Sequence, residues 1–264
     1  MSLIQHLSHG EVEGIRVGRF TSQINTSVIV YRVGDAAIDA GPPNQWRFVR
    51  DFLQSRGVRR VLITHHHEDH SGNGATIRRE LKIPVLAPEL SIPYLSQGYP
   101  MQLYRRVIWG VPAKFRAEAL PREVELAPGL SLHLLPASGH APDMVCFLIP
   151  QRGWLFTADL FITPAPQFAR KADHYREEME SLRGVLEHDF ATVFCAHRGV
   201  VENGKEMLRR KLEYLEELYG KVGEMHRAGK SLREIRLALL GREGMMSWLT
   251  FFHFSRRNMI KSVL

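Results

Sequence analysis

Short apolar runs bounded by glycine and polar residues dominate the first three quarters of the chain, where long helical stripes are scarce. Runs over residues 14–20, 27–33 and 36–39 have the length and β-branched content of strands, and Gly34-Asp35 predicts a tight hairpin turn between the last two. From 44 to 56 the period changes: Trp46, Val49, Phe52 and Leu53 fall on one face of a helix that Gly57 stops. A strand over 58–64, a helix over 75–81 and a strand over 84–87 follow. The strand pattern resumes at 130–135, 144–149 and 154–157, before a helix over 173–187 and a strand over 192–195. Two strand-rich halves with helices outside them predict an α/β protein built as a four-layer αββα sandwich.

The last quarter changes character. Leu208, Leu212, Leu215, Tyr219 and Val222 recur at spacings of three and four through 203–228, the pattern of an amphipathic helix. Ser231-Leu232-Arg233-Glu234 reads as a capping box that opens a second helix to Leu240, with Gly241 as the stop. Trp248, Phe251, Phe252 and Phe254, followed by Asn258-Met259-Ile260, read as an aromatic hinge and a final helix. The expected organisation is a catalytic core over 1–202 and a helical extension over 203–264 packed on it. Between the two strand-rich halves, residues 88–120 interleave Tyr94, Tyr99, Tyr104, Trp109 and Phe115 with Arg105, Arg106, Lys114 and Arg116. That stretch reads either as a lid or substrate wall or as a buried helical excursion.

Candidate chemistry sits where the strands end. Val61-Leu62-Ile63 runs into Thr64-His65-His66-His67-Glu68-Asp69-His70, four potential metal ligands in the form His-x-His-x-Asp-His. In an extended chain, side chains two apart point the same way, so His65 and His67 can converge while His66 faces the other side. Asp69 and His70 diverge and suit a second ion nearby. Later strands lead to Ser138-Gly139-His140, to Thr157-Ala158-Asp159 and to His197, and an earlier one ends at Ile38-Asp39. Imidazole and carboxylate are donors that zinc, iron and manganese accept.

This ordered set, His65-x-His67-x-Asp69-His70, His140, Asp159 and His197, resembles the metallo-β-lactamase superfamily over about residues 12–200. The resemblance implies the same αββα sandwich. It also implies one metal on His65, His67 and His140, a second on Asp69, His70 and His197, and Asp159 as the bridging carboxylate. Two divalent ions, zinc first and iron or manganese as alternatives, would sit about 3.5–4 Å apart and activate water for hydrolysis. Asp69 would orient the attacking water or accept its proton. Asp39 reads either as a group orienting a ligand imidazole or as a structural acid. Thr64 is expected to brace the loop, and Asp143 to cap a turn. His6, His9, His133, His174, His188, His226 and His253 default to surface or packing roles.

Departures from the family pattern narrow the substrate. The commonest class of zinc β-lactamase places a cysteine where this chain has Asp159, so antibiotic hydrolysis is not expected. The string Thr64-His65-His66-His67-x-Asp69-His70 is very similar to glyoxalase II, which cleaves glutathione thioesters, but the glutathione-binding C-terminal segment of that enzyme finds no residue-by-residue match. Leu160-Phe161-Ile162 lacks the tyrosine that acyl-homoserine lactonases carry after the bridging acid.

Composition adds a compartment and a charge. With 264 residues, 44% of them apolar and 24% charged, the chain has the make-up of a globular protein without a membrane span or a signal peptide. Its two cysteines, Cys146 and Cys195, lie in apolar runs and read as reduced core residues of a cytoplasmic protein. Residues 205–264 hold 13 Lys/Arg against 7 Asp/Glu, while the first 204 hold 22 against 21. A solvated helical face accounts for such a run; so would steering of an anionic small-molecule substrate, or docking to an acidic partner. The leading expectation is a dinuclear metallohydrolase of a thioester or related ester, with a homodimer suited to the C-terminal aromatics. The other readings are a persulfide dioxygenase with one iron on His65, His140 and Asp159, an endoribonuclease using the basic tail on nucleic acid, and a non-enzymatic partner-binding regulator.

Overall fold

The computed structural model describes residues 3–20 and 24–264. A seven-stranded sheet forms first: β1 (Leu3–His9), β2 (Val12–Gly18), β3 (Ser27–Val33), β4 (Ala36–Ile38), β5 (Arg60–Leu62), β6 (Val85–Ala87) and β7 (Glu118–Ala119), lying in that order. Its first four strands pair antiparallel and the last four parallel. The switch follows from the connections. Tight turns join β1 to β2 and β3 to β4, whereas α1 (Trp46–Ser55) crosses over between β4 and β5.

The second sheet holds β8 (Glu123–Ala127), β9 (Leu130–Pro136), β10 (Val145–Ile149), β11 (Trp154–Ala158), β13 (Thr192–Cys195) and β14 (Gly199–Val201), in the order β14-β13-β11-β10-β9-β8. A small ladder of β12 (Ala169–Arg170) and β15 (Phe254–Ser255) lies apart from both sheets.

Alternation along the strands creates three apolar interfaces. Ile29, Tyr31 and Val33 face Phe147, Ile149, Phe156 and Phe194 between the sheets. On the outer face of the first sheet, Val28, Val30 and Val61 pack against Val49, Phe52 and Leu53 of α1. On the outer face of the second, Cys146, Leu148, Leu155 and Val193 meet α6 (Tyr175–Leu186) and α7 (Gly204–Arg227). Those three interfaces separate four layers, the expected αββα sandwich. Backbone bonds stitch the sheets together at one edge, from Ile29 N to Ala196 O (2.7 Å) and from Val145 N to Thr64 O (3.0 Å).

Some elements differ from the sequence reading. Strands β1, β8 and β14 had no clear signal, because β1 and β8 are edge strands rich in exposed polar residues and β14 is short. The helix expected over 75–81 is present, starting one residue earlier: its first turn is α3 (Gly74–Thr76) and the rest, Ile77–Leu81, is π-helical, with the short α2 (Glu68–Ser71) ahead of it. Residues 88–120 are not irregular throughout; they form α4 (Ile92–Gln97) and α5 (Leu103–Trp109).

The C-terminal helices are α8 (Leu232–Leu239), α9 (Met245–Leu249) and α10 (Arg256–Lys261). The capping box at Ser231 and Glu234 is present. Leu208, Leu215, Val222, Ile235, Met259 and Ile260 join the apolar layer on the second sheet, so this region buries its stripe against the core. No helix among the described residues is long and apolar enough to cross a membrane.

One charge sits inside that layer. Lys211 of α7 and Glu178 of α6 form an ion pair with both side chains only 5% exposed, and the Lys211 ammonium also donates to Leu160 O at 2.5 Å. Removing one partner leaves an uncompensated buried charge, so Glu178→Ala is expected to destabilise the protein by about 3–5 kcal/mol. The double replacement Glu178→Leu with Lys211→Met should recover most of that loss. Urea denaturation of the two variants beside the parent chain measures both effects.

Candidate metal centre

Five loops at one edge of the sandwich deliver the site, following β4, β5, β9, β11 and β13. They bring the seven proposed ligands into two touching groups: His65, His67, His140 and Asp159 in one, and Asp69, His70 and His197 in the other. His67 Nδ1 lies 2.8 Å from His65 Nε2 and 3.2 Å from His140 Nε2, so three imidazole nitrogens converge on one point. Asp159 stands between the groups. Its Oδ2 is 2.9 Å from His140 Nε2, and its Oδ1 is 3.2 Å from His70 Nε2 and 3.0 Å from His197 Nε2. Asp69 Oδ2 lies 3.5 Å from His197 Nε2 and 3.7 Å from His70 Nε2.

The donors fit divalent ions. His70 Nε2 and Asp159 Oδ1 are fully buried and make no hydrogen bond, although each faces a complementary atom. Buried polar atoms are rarely left so, and a metal would satisfy both. The electrostatics agree. Burial, with His70 next in size for His65 and Arg170 for His67, pushes both imidazoles well below their ordinary pKa and keeps them in the neutral form that coordinates. Burial is the largest influence on His70 and His197 and opposes their charge, yet the carboxylates around them together outweigh it and raise both: Asp159, Asp39 and Asp69 for His70, and Asp159 and Asp69 for His197. Asp159 is itself held well below the usual carboxylate range: burial opposes this, but His197, His140 and His70 prevail. The second group thus presents a negative potential that protons answer here and a cation answers equally well.

The supporting residues explain the orientation. Asp39 accepts from Thr64 N at 2.8 Å and from Thr64 Oγ1 at 2.9 Å, and its Oδ2 is 2.7 Å from His70 Nδ1. It therefore fills both roles anticipated for it, bracing the loop and directing an imidazole. His66 faces away from the cluster as expected, with Nδ1 2.7 Å from Asp143 Oδ1 and its ring stacked on Tyr94 at 4.2 Å. Asp143 does more than cap a turn: it also takes Ser91 Oγ–H at 2.6 Å and His66 N–H at 2.8 Å. Asp39 (φ 66) and Ala158 (φ 46) hold left-handed backbone without being glycine, so strain is stored beside two of the acids. Gly139 (φ 121) has to be glycine, since a Cβ there would stand 2.6 Å from the backbone of Glu178.

Several residues at the site gave no sequence signal. Glu68 is completely buried under the loop and paired to Arg105 of α5 through Nε (2.7 Å) and Nη2 (2.5 Å). Arg170 of β12 lies against His67. His253 was assigned to surface or packing, and it lies half-buried at the site with Nδ1 2.8 Å from Tyr104 OH. A cavity of about 290 Å³ opens over the cluster, with Ile108 and Trp109 of α5, Ile162, and Met246, Leu249 and Phe254 from the C-terminal region among its walls. The aromatic stretch over 88–120 is thus both a helical excursion and a wall.

Fold and site together define a class. The description "Metallo-beta-lactamase superfamily" matches residues 20–197, and the chain belongs to that family. It is 27% identical over 198 residues to the atrochrysone carboxyl ACP thioesterase of Passalora fulva, covering 72% of this chain and 53% of that one. It is 25% identical over 162 residues to the hydroxyacylglutathione hydrolase of Idiomarina loihiensis, covering 60% of this chain and 53% of that one. The chain thus spans about half the length of these curated relatives. A beta-lactamase domain protein from Burkholderia ambifaria shares the fold with a TM-score of 0.71 at 14% identity, over 98% of this chain and 87% of that one.

Asp143 offers a test of the support beneath the centre. Asp143→Ala strands three donors and is expected to cost about 3 kcal/mol, read by thermal or urea unfolding. Burial raises the Asp143 pKa, but the His66 and Ser91 hydrogen bonds outweigh it and leave it depressed. Its stabilisation is therefore full above the ordinary carboxylate range, about pH 4, and disappears as pH falls through the lower native value. The variant should lose that part of the acid dependence.

Proposed function

We propose that this chain is a metal-dependent hydrolase that cleaves a thioester or related ester at a dinuclear centre. In this reading His65, His67 and His140 hold one ion, Asp69, His70 and His197 hold the other, and Asp159 joins them. The observation that carries it is the placement of Asp159, whose two oxygens face different histidine groups beneath an apolar cavity. A pair of divalent ions, zinc by donor chemistry, supplies activation of water near neutral pH and polarisation of the acyl oxygen.

The chain's own residues do the rest. Asp69 lines the cavity beside His197 and is placed to orient water and take its proton. Ile108, Trp109, Ile162, Met246 and Leu249 offer an acyl group an apolar bed and keep bulk water off the scissile bond. The new bond joins the water oxygen to the carbonyl carbon, the C–S bond breaks, and the thiolate receives a proton. The segment 203–264 acts in this proposal as an extension that completes the cavity. The names of two relatives, an ACP thioesterase and a hydroxyacylglutathione hydrolase, support thioester chemistry, and the apolar lining favours an acyl chain over a phosphodiester backbone.

Metal-assayed protein should release thiol from members of a panel of acyl-glutathione, acyl-coenzyme A and acyl-carrier-protein thioesters. Asp159→Ala should lose more than about 100-fold in kcat/KM together with part of its bound metal. Two ions per chain and no thiol from any member would sink the thioester reading, and one ion per chain would sink the dinuclear one.

A further inference from the structure

A second cavity, of about 510 Å³, lies on the far side of the histidines and is lined by polar groups that include His66, Gln102, His174, Glu177 and His253. The two cavities share one wall: His67, Arg105, His140 and Arg170. Both arginines in that wall are used on one edge only. Arg170 gives Nε–H and Nη2–H to Asp173 Oδ1 at 2.9 and 2.8 Å, and Nη2 also donates to His140 O. Arg105 gives Nε and Nη2 to Glu68, and its Nη1 donates to no acceptor among the described residues.

The remaining amino group of Arg170 faces an unsuitable neighbour. Its Nη1 lies 3.3 Å from Nδ1 and 3.1 Å from Nε2 of His67. His67 points Nδ1 at the nitrogens of His65 and His140, so Nδ1 is the atom that turns its lone pair to the proposed metal. A neutral imidazole coordinated through Nδ1 carries its proton on Nε2. Nη1 then meets an N–H on one side and an engaged lone pair on the other, and has no acceptor. The guanidinium is only 11% exposed, so water compensates it little. Asp173 and Glu68 do not cancel the positive potential: His253, in the same cavity, is pushed down to about 4 by burial and then by Arg170 and Arg105.

We propose that Arg170, with Arg105 beside it in the shared wall, recognises an anionic group on the substrate, held in this second cavity while the reacting acyl carbon lies over the histidine cluster. The anion is a carboxylate on the acyl half or a phosphate on the thiol half. This assignment rests on the thioester-hydrolase reading. A charge-assisted hydrogen bond to a buried arginine is worth roughly 10- to 100-fold in selectivity.

Two matched pairs test it on the full-length, metal-loaded protein: succinyl- against butyryl-N-acetylcysteamine, and S-acetylphosphopantetheine against S-acetylpantetheine. The parent chain should favour the anionic member of one pair by about 10- to 100-fold in kcat/KM, expressed in KM, and the pair that separates names the half carrying the anion. In Arg170→Gln, and in the neutral Arg170→Met if the first variant folds poorly, that ratio should collapse toward one. The same distinction is read by calorimetry, titrating succinate against butyrate and phosphopantetheine against pantetheine. That binding arm stands even if thioesters are not turned over, so failure of the hydrolase reading and failure of this one are told apart. No discrimination in either pair by the parent chain overturns the proposal. An equal fall in kcat on both members, with the ratio preserved, also overturns it, because that is the signature of a group acting on the reacting oxygen.

Discussion

The arrangement depends on one carboxylate placed between two sets of buried imidazoles. Asp159 cannot be ionised in so dry a place unless positive charge surrounds it, and His70 and His197 cannot carry charge there without Asp159. Either protons on His70 and His197 balance that carboxylate or a metal cation enters the cluster. All the supporting features work toward keeping that second outcome geometrically available. Asp39 fixes His70, Asp143 fixes the segment at His66, and the strained turn at Ala158 presents Asp159 to both sides at once.

That dependence explains the division of labour in the fold. The two sheets supply rigid edges, and the site occupies the seam where Ile29 meets Ala196 and Thr64 meets Val145. Helices from the last quarter lie on the outer face of the second sheet, and their junctions reach back over the seam. Lys211 touches the backbone of Leu160, the residue after Asp159, while Met246, Leu249 and Phe254 line the cavity above it. The same region exposes Phe251 at 86% of its surface.

Legibility in the sequence tracked how local each signal was. Buried strands such as β3 and β10 announced themselves through consecutive Val, Ile and Phe, and Ser231 to Glu234 carried a complete helix start in four residues. The seven clustered residues were readable because all lie in the short segments that follow apolar runs, a pattern that survives without any knowledge of packing. Arg105, Arg170 and Glu68 were not readable for the opposite reason. An arginine paired to a buried acid across 37 positions looks, in sequence, like any surface cation. The contact of His253 with Tyr104 is likewise visible only in the folded chain, because the two lie 149 positions apart. Edge strands β1 and β8 escaped because one face of each meets solvent and their alternation is diluted by polar residues.

The seam has a consequence for how the protein is made. His65, His67, Asp69 and His70 leave the ribosome together, but His140, Asp159 and His197 come from the other half of the sandwich. A partly synthesised chain therefore offers metal a flexible, incomplete chelate, and the full donor set exists only after β13 has docked beside β11 and Ala196 has bonded across to Ile29. In the proposed reading of these residues as ligands, metal capture at the complete cluster is a late event in maturation, coupled to closure of the two halves.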